Sequence, residues 1–208
     1  KKLKEKKFRD LENAYIVEGI KMVKEAMQEK AEIKQIVMCE DYTDNVELDK
    51  DTLYEIAKYN VVYVTRNIIN LLTDVKTPQG ILAVVGKGNN AFNGANSSRQ
   101  IDYTQDIIIA LDDIQDPGNL GTILRTADSA NLKQIILSKN SADSYNPKVV
   151  RSTMGAIFRV NIIEVEDLKE ELKKAQKNNF KVMVTSLDTQ KSIYDADFNK
   201  KVIVIGNE

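Results

Sequence analysis

The junction between two apolar runs constrains the fold of this chain more than any other feature. The run "DIIIAL" (residues 106–111) precedes the stretch "DPGNLGTILRTADSA" (116–130), and the run "QIILS" (134–138) follows it. A continuous apolar run is typical of a strand that is covered on both faces, and the stretch between the runs has the spacing of a helix. The order strand, turn, helix and strand predicts an α/β fold with a parallel sheet and right-handed crossovers.

The stretch between the two runs separates into two faces when residues 119–130 are placed on a helix. The apolar face comprises Leu120, Ile123, Leu124, Ala127 and Ala130, and the polar face comprises Thr122, Arg125, Thr126 and Ser129. We expect the apolar face to pack on the sheet, so that Arg125 points away from it. We also expect Pro117 and Gly118 to form the turn. Asn119 would cap the helix, and Gly121 would let a second group approach the backbone closely.

This turn is a candidate binding site because it lies at the carboxyl end of a parallel strand. Ligand sites of open α/β sheets lie at that edge, and a helix N-terminus offers free N–H groups and partial positive charge to an anion. The glycines of "GNLG" do not match the dinucleotide fingerprint G-x-G-x-x-G. The residues therefore favour a pocket for a polar, phosphate-bearing ligand, while a purely structural role for Asn119, Gly121 and Arg125 stays open.

Strands and helices alternate on both sides of one polar segment. The segment "GKGNNAFNGANSSRQ" (86–100) is rich in Gly, Asn and Ser, as is typical of a linker. We therefore predict an N-terminal α/β domain over residues 1–86, a flexible linker over 87–104 and a C-terminal parallel-sheet domain over 105–208. In the C-terminal domain, "NPKVVRSTMGA" (146–156) predicts a helix with Asn146 as its N-cap and Pro147 as its first residue.

Composition removes several classes of site. The 208 residues include no His and the single Cys39, which excludes a Ser-His-Asp triad, an internal disulfide and a metal site of His or clustered Cys within this sequence. No apolar stretch approaches the roughly 20 residues of a membrane helix, so we expect no membrane partner and a cytoplasmic location. The net charge is −1, yet residues 1–9 and 116–160 each carry six basic residues, which predicts local positive surface.

Several segments together resemble one family. "DDIQDPGNLGTILRTADSA" is similar to the first motif of the SpoU/TrmH class of SPOUT RNA methyltransferases, with Asn119, Gly121 and Arg125 in the matching places. "NPKVVRSTMGAIFRV" resembles the segment that follows that motif, and "VIVIGNE" resembles the start of the second motif, a strand that ends in Gly-x-Glu. "YIVEGIKMVKEAM" and "TPQGILAVV" resemble the family's N-terminal RNA-binding domain. The resemblance covers nearly the whole chain, with the motifs in the expected order.

The resemblance implies a particular two-domain fold. The N-terminal domain would be a substrate-binding α/β domain like that of a ribosomal protein. The C-terminal domain would be a SPOUT methyltransferase domain, in which a third motif closes a trefoil knot. That knot-closing motif is absent from the sequence, which begins at Lys1 and stops at Glu208. We therefore expect this chain to be part of a longer protein.

The resemblance also implies an activity and partners. The family transfers a methyl group from S-adenosyl-L-methionine to a ribose 2′-OH of ribosomal or transfer RNA, and it forms homodimers through the methyltransferase domain. The separate N-terminal domain favours large-subunit ribosomal RNA over transfer RNA by analogy. The partners implied for this chain are thus RNA and a second copy of itself.

The same motifs imply the site residues. The catalytic set is Arg125, Asn119 and Glu208: Arg125 would hold an RNA phosphate and the 2′-OH, Asn119 would orient Arg125 or the ribose, and Glu208 would anchor Arg125 or the cofactor loop. We expect Arg125 to hold the phosphate and not to accept the proton of the 2′-OH, because a guanidinium is effectively always protonated. The cofactor-binding set is Thr185, Ser186, Leu187, Gly206 and Asn207. The RNA-binding set is Arg151 and Lys148, and no metal is expected.

Two other functions compete with this interpretation. A nicotinamide-dependent oxidoreductase would need the glycine fingerprint and an acidic residue about 20 positions further on, and the fingerprint is missing. A non-catalytic RNA-binding homologue stays open, although the presence of Asn119, Arg125 and Gly-x-Glu favours an enzyme. Simple strand-end capping by Thr185 and Ser186, and a solvated helix face at Lys148, stay open as well.

Overall fold

Two β-sheets organise the molecule. The structure is a computed structural model that describes residues 1–39, 48–87, 101–190 and 192–207. A four-stranded sheet lies in the N-terminal part of the chain, and a five-stranded sheet lies in the C-terminal part. No helix in these described ranges is long and apolar enough to span a membrane.

The N-terminal sheet is mixed. Its strands are β1 (Ala14–Glu18), β2 (Ile33–Met38), β3 (Val61–Tyr63) and β4 (Ile81–Gly86), in the order β1-β4-β2-β3. Strand β4 runs antiparallel to β1 and β2, whereas β2 and β3 are parallel. The helices are α1 (Lys6–Leu11), α2 (Ile20–Gln28), α3 (Lys50–Ile56) and α4 (Arg66–Leu72). Helix α2 buries Met22, Val23 and Ala26, the positions that helical periodicity places on one face.

The C-terminal sheet is entirely parallel, as the sequence predicts. Its strands are β5 (Ile107–Asp112), β6 (Gln134–Ser138), β7 (Asn161–Val165), β8 (Lys181–Val184) and β9 (Lys201–Gly206), in the order β7-β6-β5-β9-β8. Strand β5 is central, and its residues 108–111 are buried, because neighbouring elements cover both faces. The register pairs Asp112 with Gly206, so the carboxyl ends of β5 and β9 lie side by side.

Helices α5 (Pro117–Ser129), α6 (Pro147–Ser152) and α7 (Leu168–Lys177) connect these strands. The prediction for α6 is confirmed at its start: the Asn146 side chain accepts a hydrogen bond from the Lys148 N–H, and Pro147 is the first helical residue. The helix is shorter than expected, since it ends at Ser152 and a 3₁₀ turn at Ala156–Phe158 follows. Met154 and Gly155, between the two, both have positive φ, which the α-helix does not allow.

Helix α5 begins earlier than the sequence indicates. Pro117 is its first residue, and the Asp116 carboxylate caps it by accepting a hydrogen bond from the Asn119 N–H at 2.8 Å. The expectations that Asn119 caps the helix, and that Pro117 and Gly118 form a turn before it, are therefore wrong. Proline suits the first helical position because its φ is already helical and its missing N–H is not needed there, which leaves Asp116 at the cap.

The basic N-terminal arm is folded against the body of the protein. Arg9 has a side chain only 3% exposed and forms an ion pair with Asp143 of the C-terminal part. Its guanidinium also donates to the carbonyls of Leu3 and Lys4 at 2.9 and 2.7 Å. Lys4 pairs with Asp74 at 2.6 Å. At least two of the basic residues at 1–9 thus hold the chain together instead of forming free positive surface.

The two sheets share one hydrophobic cluster. Val150, Ile157 and Phe158 of the C-terminal part are at most 2% exposed and pack with β1, α2 and β4 of the N-terminal part. The rings of Tyr15 and Tyr145 contribute a further contact, with centroids 4.8 Å apart. Residues 88–100 of the predicted linker lie outside the described residues. The N-terminal part is therefore packed on the C-terminal part through a common core, while the predicted domain limits stay predictions.

Candidate active site

The first turn of α5 and the end of β9 enclose a polar cleft. The cleft has a volume of about 420 Å³ and is lined by Ile114, Gln115, Asp116, Asn119, Thr122, Ile123, Ile205, Gly206 and Asn207. Residues predicted from two separate motifs, Asn119 of the first and Gly206 and Asn207 of the second, therefore lie together. They meet because β5 and β9 are neighbours in the sheet, so that the helix after β5 starts beside the residues that follow β9.

The charge at the base of this cleft is arranged around Asp116. Its carboxylate accepts the Asn119 N–H and lies 3.5 Å from the Lys148 ammonium. The hydrogen bond from the Asn119 backbone, helped by the charge of Lys148, lowers the pKa of Asp116 below its ordinary value. Asp116 is thus a carboxylate at neutral pH that holds the start of α5 in place. Its neighbour Asn119 keeps its side-chain amide for the cleft.

The exposed face of α5 leaves one cation available. Three hydroxyls on this face donate to carbonyls four residues earlier, at 2.9 Å each: Thr122 to Gly118, Thr126 to Thr122 and Ser129 to Arg125. The Arg125 side chain is exposed, and in the described part of the chain it has no hydrogen-bond or ion-pair partner. The predicted face is confirmed, except that Ala130 lies beyond the helix and is exposed. Arg125 does not itself line the cleft.

Gly121 lets helix α6 pack closely against the backbone of α5. A Cβ at this position would lie 2.4 Å from the Ser152 Cβ and 2.9 Å from the Val149 carbonyl oxygen. Helix α6 therefore occupies the space beside the Gly121 backbone, and the residue is buried. The expectation that Gly121 lets a second group approach the backbone closely is confirmed, and that group is helix α6.

A second cavity lies at the end of β8, next to β9. It has a volume of about 480 Å³ and is lined by Met183, Val184, Thr185, Ser186, Thr189, Ser192, Ile193, Asp195, Ala196, Phe198 and Ile203. Thr185 and Ser186 line it, as predicted for a cofactor pocket. Leu187 does not, and its side chain is 87% exposed.

The two predicted hydroxyls in this cavity also have structural partners. Thr185 donates from both its N–H and its hydroxyl to the Val204 carbonyl, at 3.1 and 3.3 Å. The Ser186 hydroxyl accepts the Asp188 N–H at 3.2 Å. Strand-end capping and cavity lining therefore coexist in these residues.

The two predicted RNA contacts on α6 differ in their environment. Lys148 is exposed at the edge of the cleft and lies beside Asp116. The side chain of Arg151 is 33% exposed and lies 3.9 Å from Glu18 of β1. Burial raises the pKa of Glu18 above its ordinary value, although the nearby Arg151 opposes the shift. Arg151 therefore faces the boundary between the two sheets.

Sequence reasoning missed part of the second cavity. Ser192 caps a 3₁₀ turn at Ile193–Asp195, and this turn with Phe198 forms one wall. The signal was present as a Ser before an apolar pair, but the segment has no periodicity of its own. Glu208, the third predicted catalytic residue, lies outside the described residues, so its role stays a prediction.

These features define a class of protein: an α/β protein with a parallel sheet, a polar cleft at the sheet's carboxyl edge and a second α/β unit packed on it. The family comparisons agree with this class. Residues 106–208 match the model of the SpoU rRNA methylase family, and residues 1–83 match that of the MRM3-like substrate-binding domain. The chain belongs to the SpoU class of SPOUT RNA methyltransferases.

Two individual relatives are named as rRNA methyltransferases. The chain is 34% identical over 161 residues to the mitochondrial rRNA methyltransferase 3 of Xenopus laevis. This match covers 77% of this chain and 37% of the Xenopus protein. It is 28% identical over 209 residues to the 23S rRNA (guanosine(2553)-2′-O)-methyltransferase RlmP of Bacillus subtilis, covering 100% of the chain and 77% of the relative. The chain thus spans little more than a third of the Xenopus protein and most of the bacterial one.

One solved structure adds a ligand to the comparison. The AdoMet-bound rRNA methyltransferase of Sinorhizobium meliloti superposes with a TM-score of 0.79 at 26% identity, covering 99% of this chain and 76% of that one. The superposition spans both sheets, so the packing of the two units is common to the two proteins.

Proposed function

We propose that this chain is an S-adenosyl-L-methionine-dependent methyltransferase that modifies a ribose 2′-OH of ribosomal RNA, with large-subunit RNA as the favoured substrate. The observation that carries the proposal is the cleft in which Asn119 meets Gly206 and Asn207. The helix that contributes Asn119 also presents the Arg125 side chain, which has no hydrogen-bond or ion-pair partner among the described residues. The names of the two relatives support rRNA as the substrate, and that of RlmP supports the ribose oxygen as the acceptor.

The residues at the sheet edge suit the proposed cofactor. The two cavities, of about 420 and 480 Å³, lie in the range of about 300–1,000 Å³ that small-molecule pockets occupy. A Cβ at Gly206 would have no atom of the described residues within 4 Å, so the backbone there can accommodate a ligand. We propose that Thr185, Ser186, Gly206 and Asn207 hold the adenosine and methionine parts. When bound, S-adenosyl-L-methionine supplies an activated methyl group on a sulfonium.

The chain's own contribution is alignment of the acceptor. Methyl transfer needs the 2′-OH in line with the methyl carbon, and holding two reacting groups in place supplies much of the rate. Arg125 can bind an RNA phosphate bidentately and so hold the ribose beside the cleft. Asn119, at the helix start, offers an amide that can donate to or accept from the 2′-OH. Lys148 adds positive charge at the rim, and Arg151 becomes a phosphate contact only if it leaves Glu18.

Other parts of the proposal rest on the sequence pattern and on the family resemblance. We propose residues 1–86 as the RNA-binding domain, 87–104 as the linker and 105–208 as the methyltransferase domain. We also propose a homodimer joined through the methyltransferase domain and a cytoplasmic location. Each has a direct measurement: RNA affinity of variants at exposed lysines of residues 1–7, sedimentation of the purified protein and fractionation of cells.

The test is methyl transfer from labelled cofactor to ribosomal RNA isolated from cells that lack the gene. The complete gene product should label one ribose, which is mapped by resistance of the next phosphodiester bond to alkaline hydrolysis. RNA from cells that carry the gene is the matched control and should accept no label. Binding of RNA without methyl transfer would support a non-catalytic RNA-binding homologue instead, and labelling of a base would contradict the ribose assignment.

A further inference from the structure

One guanidinium links the N-terminal part of the chain to the helix that carries Arg125. Arg159, which follows the 3₁₀ turn at 156–158, donates to Asp128 at 2.9 Å, to Glu25 at 2.5 Å and to Glu29 at 3.3 Å. Glu25 lies on α2 and Glu29 ends it, whereas Asp128 lies in the last turn of α5. The network therefore spans both parts of the molecule.

The backbone around this network is built for close approach. Gly155 has φ +99°, and a Cβ there would lie 2.9 Å from the Glu25 carboxylate and 3.3 Å from the Arg159 guanidinium. The preceding Met154 has φ 50°, a left-handed conformation that costs free energy in a non-glycine residue. The next residues, Ile157 and Phe158, enter the shared hydrophobic cluster. The segment is thus held against α2 by packing as well as by charge.

Arg159 supplies the positive charge that holds the three carboxylates of this network together. One cation serves three carboxylates, and the four side chains are only 17–35% exposed. Although partial burial disfavours its charge, hydrogen bonds to Glu25 and Asp128 raise the pKa of Arg159 further, so it stays protonated at any physiological pH. Without the guanidinium, Asp128 would face Glu25 and Glu29 as like charges, and these would push α5 and α2 apart.

We propose that Arg159 is a positioning residue: it sets the orientation of α5, and therefore of Arg125, relative to the N-terminal unit. Asp128 lies three residues after Arg125, on the adjoining turn of the same helix. This inference rests on the proposed function, in which the N-terminal unit captures RNA and Arg125 aligns the ribose. The distance between captured RNA and aligned ribose would then depend on the Arg159 network.

The physical test measures the geometry of the two parts without any reaction. Spin labels at Lys21→Cys on α2 and Thr126→Cys on α5, both exposed sites, report the separation of the helices, while Cys39 is buried. A single narrow distance is expected in the parent and in Lys139→Gln, which removes an exposed ion pair with Glu166 as a matched control. Arg159→Gln and Glu25→Gln should each broaden or shift the distance. Unchanged distances in both folded variants would overturn the proposal.

The kinetic test separates positioning from binding. In Arg159→Gln and Glu25→Gln, kcat for methyl transfer should fall about 10-fold or more, because a misplacement of about 1 Å can cost about 10²-fold. KM for RNA and the Kd of the cofactor should stay within about twofold, and Arg159→Lys should recover part of kcat. A loss confined to thermal stability would contradict a positioning role. If the parent protein methylates no RNA, the proposed function fails, while the spin-label distances still decide the link between the parts.

Discussion

The cleft at the start of α5 and the junction between the two sheets use arginine in opposite ways. At the junction, Arg9 is buried against Asp143 and two carbonyls, and Arg159 serves three carboxylates. Near the cleft, Arg125 is exposed and has no partner among the described residues. Because Arg9 and Arg159 are both paired with carboxylates, they add little to the positive surface that an anion could meet. The free charge is left where a phosphate can reach it.

This difference shows why local sequence charge is a poor guide to a binding surface. Residues 1–9 and 116–160 each carry six basic residues, yet several of these, such as Arg9 and Arg159, are paired with carboxylates of the protein itself. A guanidinium whose donors are all taken up by carboxylates stabilises the fold, and one that has no carboxylate partner can bind an anion. Four predictions follow from this contrast, beginning with the largest effect.

Removing the most buried junction cation should cost the most stability. Arg9→Ala leaves Asp143 buried without its partner, which typically costs about 3–5 kcal/mol in the free energy of unfolding. Denaturant unfolding measures this loss, and Arg9→Met with Asp143→Leu should be closer to the parent than Arg9→Ala is. A loss below about 1 kcal/mol would show that the buried pair is not holding the junction.

Removing the free cation should cost activity and leave stability unchanged. Arg125→Ala should lower the rate of methyl transfer by about 10²-fold or more, as is typical when a positioned charged group is lost. Its unfolding midpoint should match that of the parent, since the side chain is exposed. Ser129→Ala, on the same face one turn later, is the control and should retain full activity. Turnover near that of the parent in Arg125→Ala would remove the basis of the proposed site.

Two glycines offer a similar contrast. Gly121→Ala forces a methyl group against the Val149 carbonyl oxygen and the Ser152 Cβ, and such overpacking costs about 1–3 kcal/mol of stability. Gly206→Ala meets open space, so its stability should be that of the parent, while its affinity for S-adenosyl-L-methionine should fall. Thermal unfolding and titration calorimetry measure the two effects. Equal stability of the two variants would show that α5 and α6 can separate at little cost.

The smallest predicted effect is a pH dependence at the α5 cap. The pKa of Asp116 is lowered in the folded state, so its contribution to stability is present above its ordinary pKa of about 4 and is lost as the pH falls through the folded value. Asp116→Asn keeps a capping oxygen without the charge. The Tm of the parent should exceed that of this variant near neutral pH, and the difference should vanish in acid. A difference independent of pH would assign the effect to shape alone.

The fold was largely predictable, because long-range packing agrees with local pattern in most elements. The apolar run of β5 predicts its central place in a parallel sheet, and the spacing of Leu120, Leu124 and Ala127 predicts the buried face of α5. The predicted cap of α5 was wrong for a local reason. Asp116 and Asn119 are both good N-caps, and only the preference of Pro117 for the first helical position decides between them. The 3₁₀ turn at Ile193–Asp195 lacked any periodicity that could reveal it.

Periodicity and motif order were enough to predict the parallel sheet and most of its strands and helices, since both depend on side-chain spacing along the chain. They did not predict the start of α5, the end of α6 or the 3₁₀ turn at Ile193–Asp195. The partner of each polar group depended on the packing of distant segments. Only the tertiary structure shows that the group close to Gly121 is helix α6, and that Arg9 and Arg159 pair with carboxylates far away in sequence. Arg125 is free because no described acidic side chain packs against its face of α5. Pairs at i,i+3 or i,i+4 can be predicted from spacing along the chain, but pairs between distant segments depend on the tertiary fold.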